Sequence, residues 1–82
     1  MTQLKKISKM NLLGADTGVE YIIENVGTGD REVDTLLFSL GCCREEPITI
    51  ISKTLGGCIV AIKDGRYFFD NLLISRIKIC KK

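Results

Sequence analysis

The chain has 82 residues, a formal net charge of +2, 45% hydrophobic residues and 27% charged residues. This balance is typical of a folded protein rather than a disordered one, and the length fits a single domain spanning 1–82. The sequence contains no histidine, which excludes a Ser-His or Cys-His nucleophile formed within this chain. The small positive charge does not indicate nucleic-acid binding, which usually needs a strongly basic domain.

Residues 1–18 show no clear secondary-structure period, and we expect them to form a loosely ordered N-terminal segment. One or two loose helical turns are allowed by the three-residue spacing of Leu4, Ile7, Met10 and Leu13. The sequence has neither the apolar core of a signal peptide nor an apolar run of about 20 residues that could span a bilayer. We therefore expect a cytoplasmic protein without membrane insertion.

The middle of the chain predicts one strand followed by one helix. VEYIIENV, from Val19 to Val26, is rich in β-branched residues and predicts the first strand. Asp30 can cap a helix by accepting from the amides of its first turn. The apolar stripe of this helix consists of Val33, Leu36, Leu37 and Leu40. Gly41 suits the left-handed residue that ends a helix.

The second half of the chain predicts four more short strands. They are ITIISKT after Pro47, CIVAIK from Cys58 to Lys63, Arg66–Phe69 and Arg76–Cys80, with a glycine turn at Gly56-Gly57 and a short turn at Leu72–Ser75. The Asp64-Gly65 pair predicts a hairpin, because a type I′ turn needs positive φ at both central residues. The fold class is therefore mainly β: a small five-stranded barrel with one short helix inserted between the first two strands.

The order and spacing of these pieces resemble the ferrous iron transport protein A family over about three quarters of the chain. The matching pieces are Tyr21-Ile22-Ile23, Leu40-Gly41, Ile48, Ile50 and Ile51, Gly56-Gly57, Ile59–Ile62, Arg66–Phe69 and Ile77-Lys78-Ile79. The chain departs from the family pattern in two places. Arg44-Glu45 stands where the family often has glycine, and Cys58 follows the glycine pair where the family often has proline.

The resemblance implies an SH3-like barrel and a small accessory protein of bacterial ferrous iron uptake. Its implied partner is the cytoplasmic side of a FeoB-type iron(II) permease, which it would bind and modulate by protein contact. It implies no enzymatic activity. The resemblance connects the chain to iron(II) only through the transport pathway, and we expect no tightly bound cofactor. The expected oligomeric state is a monomer.

Loops on a rigid barrel commonly carry recognition, so we expect contact through the helix from Asp30 to Leu40 and the loops after Gly41 and Lys53. The candidate contact residues are Asp34, Phe38, Arg44, Glu45 and Lys53. Of these, Asp34 and Glu45 are expected to be exposed. The residues expected to shape the fold are Leu40, Gly41, Gly56, Gly57, Asp64 and Gly65.

The cysteines and adjacent carboxylates do not form a recognisable metal motif. Cys42, Cys43, Cys58 and Cys80 lack the paired spacing of a structural zinc site. We expect reduced thiols that pack as small apolar side chains, while a metal or disulfide role stays open. Glu45 and Glu46 could donate oxygen ligands to iron(II), but no spaced partner ligand is visible, and a solvated loop is the simpler interpretation.

Other functions stay open at this stage. The chain is also similar to the SH3-like C-terminal domain of iron-dependent repressors, which makes a regulatory domain the main alternative. A reader of proline-rich peptides would need an aromatic-lined groove, and the chain has five aromatic residues and no tryptophan. In the strand Arg66–Phe69, Tyr67 and Phe69 are expected on one face and Phe68 on the other.

Overall fold

The computed structural model describes residues 10–82, so Leu4 and Ile7 of the N-terminal stripe lie outside the described residues. The described residues form β1 (Met10–Asn11), β2 (Glu20–Val26), α1 (Arg31–Ser39), β3 (Pro47–Lys53), β4 (Gly57–Ile62), β5 (Gly65–Asp70), α2 (Asn71–Ile74) and β6 (Ile77–Lys81). A 3-10 turn, Leu12–Gly14, follows β1. Within residues 10–82, no helix is long and apolar enough to cross a lipid bilayer.

The strands form one antiparallel sheet in the order β1-β6-β2-β3-β4-β5. The prediction of a mainly β fold is confirmed, with α1 between the first two of the five predicted strands. The strand count is one too low, because β1 adds a sixth strand at the edge of the sheet. Two residues are too few to show the alternation that identifies a strand. Because β1 and β5 stand at opposite ends of the order, backbone pairing does not close the barrel.

The described part of the N-terminal segment, residues 10–18, contributes to the core. Met10 pairs with Ile79 of β6, and the side chains of Leu12 and Ala15 are fully buried. The amide of Gly18 then donates to the carbonyl of Ile50 at 2.9 Å. These contacts bring residues 10–18 against β6 and β3.

The core is built from alternate residues of the strands. One face of each long strand is buried, as a period of two requires for a sheet with one covered face. The buried residues are Leu12, Ala15, Tyr21, Ile23, Leu37, Cys42, Ile48, Ile50, Cys58, Val60, Ile62, Phe69, Ile74, Ile77 and Ile79. The predicted division of the aromatic strand is confirmed: Phe69 is buried and Tyr67 stacks beside it, while Phe68 is exposed.

Helix α1 begins and ends as the sequence predicts. The Asp30 carboxylate accepts from the amides of Glu32 and Val33 at 2.9 and 3.3 Å. At the other end, Gly41 has a φ of 95°. The amide of Cys42 donates to the carbonyl of Leu37 at 2.9 Å, which is the closing bond of a glycine-terminated helix.

The predicted apolar stripe of α1 is only partly correct. Leu37 is buried and Val33 and Leu40 are half-buried, but the side chain of Leu36 is 59% exposed. Successive residues of a helix are rotated by about 100°, so a helix that contacts the core through the narrow face around Leu37 directs Leu36 away from it. Phe38 flanks Leu37 on the opposite side.

The β4–β5 hairpin forms one residue earlier than predicted. Ile62 pairs with Gly65, so Lys63 and Asp64 form the turn, and Lys63 has the positive φ of 53°. A type I′ turn centred on Asp64 and Gly65 is therefore wrong. A Cβ on Gly65 would lie 2.0 Å from the hydroxyl oxygen of Tyr67, so any larger residue at 65 requires the half-buried Tyr67 side chain to move.

Candidate functional site

Three of the five predicted contact residues line one cleft. Its volume is about 270 Å³, and it is lined by Asn25, Val26, Asp34, Phe38, Cys42, Cys43 and Arg44. An adjoining cleft of about 400 Å³ is lined by Glu24, Asn25, Arg44 and Lys78. Because both clefts include Asn25 and Arg44, they form one continuous surface, which we call the Phe38 groove.

Phe38 is the apolar element of this groove. It lies in the last turn of α1, and its side chain is 68% exposed. The half-buried Val26 lies in the same cleft. An aromatic side chain that contributes little to the core and borders a concave surface is a common anchor for a partner protein.

Asp34 has a structural role that the sequence did not reveal. Its side chain is half-buried rather than exposed as expected, and one carboxylate oxygen accepts from both the hydroxyl and the amide of Thr28, at 2.7 and 3.0 Å. These bonds connect the turn before α1 to its first turns. The expectation that Asp34 is exposed is therefore wrong.

Glu24 lies at a β-bulge and provides an unsatisfied acceptor. The register of β2 with β6 shifts between Ile23 and Asn25, which leaves Glu24 as the extra residue. Its Oε1 atom is buried and accepts no hydrogen bond from residues 10–82. A buried carboxylate oxygen without a donor is costly, and bulges often redirect a side chain at a functional surface.

Two basic side chains complete the groove. Arg44 and Lys78 both border the cleft that contains Glu24. Among residues 10–82, the ion pairs are Lys63–Glu46 at 3.1 Å and Lys82–Glu20, so neither Arg44 nor Lys78 forms one. The groove therefore presents donors from Arg44 and Lys78, an acceptor from Glu24 and an amide from Asn25.

The other two predicted contact residues, Glu45 and Lys53, do not line the groove. Glu45 is exposed next to Arg44, with a φ of 74°, and its amide donates to the carbonyl of Ile23 at 2.7 Å. Lys53 is the last residue of β3 and pairs with Cys58. The loop after Lys53 is thus a separate surface from the Phe38 groove.

The cysteines are unpaired thiols in different surroundings. All four are free, with Cys42 and Cys58 buried and Cys43 and Cys80 half-buried. Burial raises the pKa of the Cys42 thiol to about 12, and the neighbouring Cys43 contributes a smaller increase. Burial also raises the pKa of Cys58, partly opposed by the charge of Lys53. Both buried thiols are thus kept in their neutral, less reactive form.

Residues 10–82 contain no group of three or more His, Cys, Asp or Glu side chains arranged to hold a metal ion. Glu46 pairs with Lys63 instead of converging with Glu45. The absence of a tight iron site stays a prediction.

A further cleft of about 370 Å³ lies between the beginnings of the two helices. It is lined by Thr28, Asp30, Val33, Asp70, Leu72, Leu73 and Arg76. The carboxylates of Asp30 and Asp70 already accept from the first-turn amides of α1 and α2. These two acidic residues therefore have a structural explanation.

A protein-family model matches most of the chain. The family model of the FeoA domain matches residues 10–79. This chain belongs to the FeoA family. The predicted resemblance to ferrous iron transport protein A is confirmed, and the family is associated with iron transport rather than known for enzymes. Among curated protein sequences, none matches the chain.

Solved structures confirm the SH3-like fold. The crystal structure of an iron uptake regulatory protein, FeoA, has a TM-score of 0.79 at 20% identity and covers 92% of this chain and 100% of its own. FeoA of Stenotrophomonas maltophilia complexed with zinc, described as a procaryotic SH3 domain protein, has a TM-score of 0.76 at 16% identity over 85% and 88% of the two chains.

A manganese-dependent transcriptional repressor is similar in fold as well. Its TM-score is 0.83 at 13% identity, over 98% of this chain and 45% of the repressor. The alternative similarity to repressor domains is thus confirmed at the level of fold. The low identity carries no activity from the repressor to this chain.

Proposed function

We propose that this FeoA-family chain binds the cytoplasmic side of a FeoB-type ferrous iron permease through the Phe38 groove and modulates iron(II) transport. The observation that carries the proposal is the position of Phe38, which is 68% exposed and borders a concave surface. The family match supports iron transport as the setting. The S. maltophilia relative is described as a candidate ferrous iron transport activating factor.

The groove suits an extended peptide segment of the permease. Every peptide unit has one N–H donor and one C=O acceptor. Glu24 provides a buried acceptor that has no donor among residues 10–82, and Arg44 and Lys78 provide donors that form no ion pair there. A peptide unit that crosses the groove donates its N–H to Glu24 and accepts through its C=O from Arg44 or Lys78. An apolar side chain of the same segment packs on Phe38.

The partner segment is expected to be neutral or mildly acidic. The open end of the groove has one carboxylate, Glu24, and two basic side chains, Arg44 and Lys78. A strongly basic segment would meet two basic side chains, Arg44 and Lys78, and only the single carboxylate of Glu24 at this end of the groove, and like charges across an interface are unfavourable. Contact with the permease requires no bound iron in this chain.

The proposal is tested by titrating the permease, reconstituted in lipid nanodiscs, with the full chain and its variants. Phe38→Ala is expected to weaken binding by about tenfold or more, as removal of a central aromatic anchor usually does. Leu72→Ala is the matched control, because Leu72 is 69% exposed and lies on α2, outside the groove. Equal affinities for these two variants would contradict the assignment of the groove, and no binding by the unmodified chain would contradict the function.

Glu24→Met separates binding from stability. Removal of a buried, unsatisfied carboxylate is expected to leave the free energy of unfolding unchanged or raise it. The same change removes the acceptor for the partner's N–H, so the affinity for the permease is expected to fall. Loss of both stability and affinity would instead show that Glu24 supports the fold. Iron(II) flux through the reconstituted permease, with and without the chain, measures the modulation.

A further inference from the structure

Strand β5 is an edge strand of the sheet that residues 10–82 form. It is the last strand in the order and pairs with β4 on one side, and none of the other described strands pairs with its second side. Edge strands present a row of unpaired backbone donors and acceptors, and proteins usually protect them with like charges, proline or a covering element.

The register of the hairpin determines which residues direct their backbone outward. Ile62 and Gly65 flank a two-residue turn and therefore form a hydrogen-bonded pair. Hydrogen-bonded and non-hydrogen-bonded pairs alternate along an antiparallel ladder, so Arg66, Phe68 and Asp70 direct their N–H and C=O groups away from β4. The amide of Asn71 confirms this phase, because it donates inward to the carbonyl of Gly56 at 3.1 Å.

The same three residues expose their side chains on the face opposite the buried Phe69. Phe68 is 57% exposed, and Arg66 and Asp70 are exposed on either side of it. Arg66 precedes Phe68 by two positions and Asp70 follows it by two. The charges are thus opposite in sign and symmetric about an aromatic residue.

We propose that two copies of this chain associate by antiparallel pairing of their β5 strands about a two-fold axis at Phe68. In this register Phe68 lies opposite Phe68 of the second copy, and Arg66 lies opposite Asp70 of the second copy, twice. Opposite charges directly across a strand pair are favourable. A two-fold contact needs such a self-complementary surface, and the sequence of β5 provides it.

The side chains that this strand pairing needs are not fully used by other contacts. One oxygen of Asp70, Oδ1, caps α2 by accepting from the amide of Leu73 at 2.8 Å, and the other faces Arg66 of the second copy. All residues of the Phe38 groove lie outside β5. The dimer therefore does not depend on the proposed permease contact, and it differs from the monomer expected from the sequence.

The test is sedimentation of the full chain from about 10 µM to about 1 mM, a range that covers weak association of a small interface. A concentration-dependent dimer is expected. Amide hydrogen exchange, followed by NMR at both concentrations, is expected to show new protection at Arg66, Phe68 and Asp70 in the concentrated sample. The amides of Tyr67 and Phe69 should be protected in both samples, because they pair with β4.

Arg66→Asp supplies the matched perturbation, because it places two aspartates opposite each other in the dimer. The dissociation constant is expected to rise by about tenfold or more. Arg31→Asp makes the same charge change on the exposed first turn of α1 and is expected to leave the dissociation constant unchanged. Circular dichroism is the folding control for both variants. A chain that stays monomeric at about 1 mM, or a dimer insensitive to Arg66→Asp, would overturn the proposal.

Discussion

One carboxylate oxygen of Asp34 holds Thr28 by two hydrogen bonds, 2.7 Å from its hydroxyl and 3.0 Å from its amide. Thr28 in turn accepts from the amide of Asp30, the residue that caps α1. The turn and the beginning of the helix are therefore organised by one polar cluster. Because this cluster borders the Phe38 groove, it also fixes one wall of the proposed contact surface.

Asp34→Ala is expected to lower the free energy of unfolding by about 1–3 kcal/mol, because it removes the charged acceptor of two hydrogen bonds. Glu32→Ala is the control, since Glu32 is exposed in the same turn of α1 and its loss is expected to cost about 0.5 kcal/mol or less. Urea unfolding of both variants measures the difference. Equal midpoints would show that the cluster contributes nothing to stability.

Adjacent glycines are expected to respond very differently to alanine. A Cβ on Gly57 would lie 2.3 Å from the backbone oxygen of Phe69 and 2.8 Å from the Cα of Asp70, whereas Gly56 has no atom within 4 Å of that position. Gly57→Ala should therefore destabilise the domain by about 2 kcal/mol or more, as overpacking against backbone does. Gly56→Ala should be nearly neutral. Thermal or denaturant unfolding distinguishes them, and similar losses would contradict the packing described for β4 and β5.

Stability is expected to fall in alkaline solution partly because of Cys42. Its pKa is raised from about 9 to about 12 in the folded chain, chiefly by burial. Above pH 9 the unfolded chain loses this proton while the folded chain keeps it, so the free energy of unfolding decreases with rising pH by at most about 1.4 kcal/mol per pH unit. Cys42→Ala removes this contribution. Urea midpoints at pH 8 and pH 10 should therefore fall more for the unmodified chain than for the variant, and parallel losses would contradict the prediction.

We expect the domain to fold without metal. The reason is the nearly continuous apolar core, together with the lack of a cluster of metal-ligating side chains among residues 10–82. Thermal unfolding with and without a strong chelator should give the same midpoint within a few degrees. A decrease of more than about 10 °C on adding the chelator corresponds to more than one or two kcal/mol in a domain of this size and would show that a metal stabilises the fold.

The sequence predicted the elements whose signal is periodic or chemically specific. The alternation in β2–β6 identified five strands, and Asp30 and Gly41 identified the ends of α1 because each satisfies the backbone at a helix terminus. Leu36 was assigned to the core wrongly, since periodicity shows that a helix has an apolar side but does not show how wide its contact with the sheet is. β1 was missed because two residues carry no period.

The candidate site was less predictable than the fold. Phe38 and Arg44 were identified from their positions on the helix and the following loop, and the structure brings them together. Glu24 and Asn25 were missed, because a β-bulge changes the direction of Glu24 without any mark in the residue pattern. The available signal was the glutamate that directly follows the apolar run Tyr21-Ile22-Ile23 of β2. The hydrogen bonds between Asp34 and Thr28 depend on the geometry of the turn before α1, which neither an aspartate nor a threonine specifies.

The most direct test of the permease contact is an NMR titration of the isotopically labelled chain with the reconstituted permease. The proposed function predicts that the amide signals of Glu24, Asn25, Phe38 and Arg44 shift or broaden first, while those of α2 change little. Saturating permease without any change at these four residues, or with changes confined to α2 and the loop after Lys53, would contradict binding through the Phe38 groove.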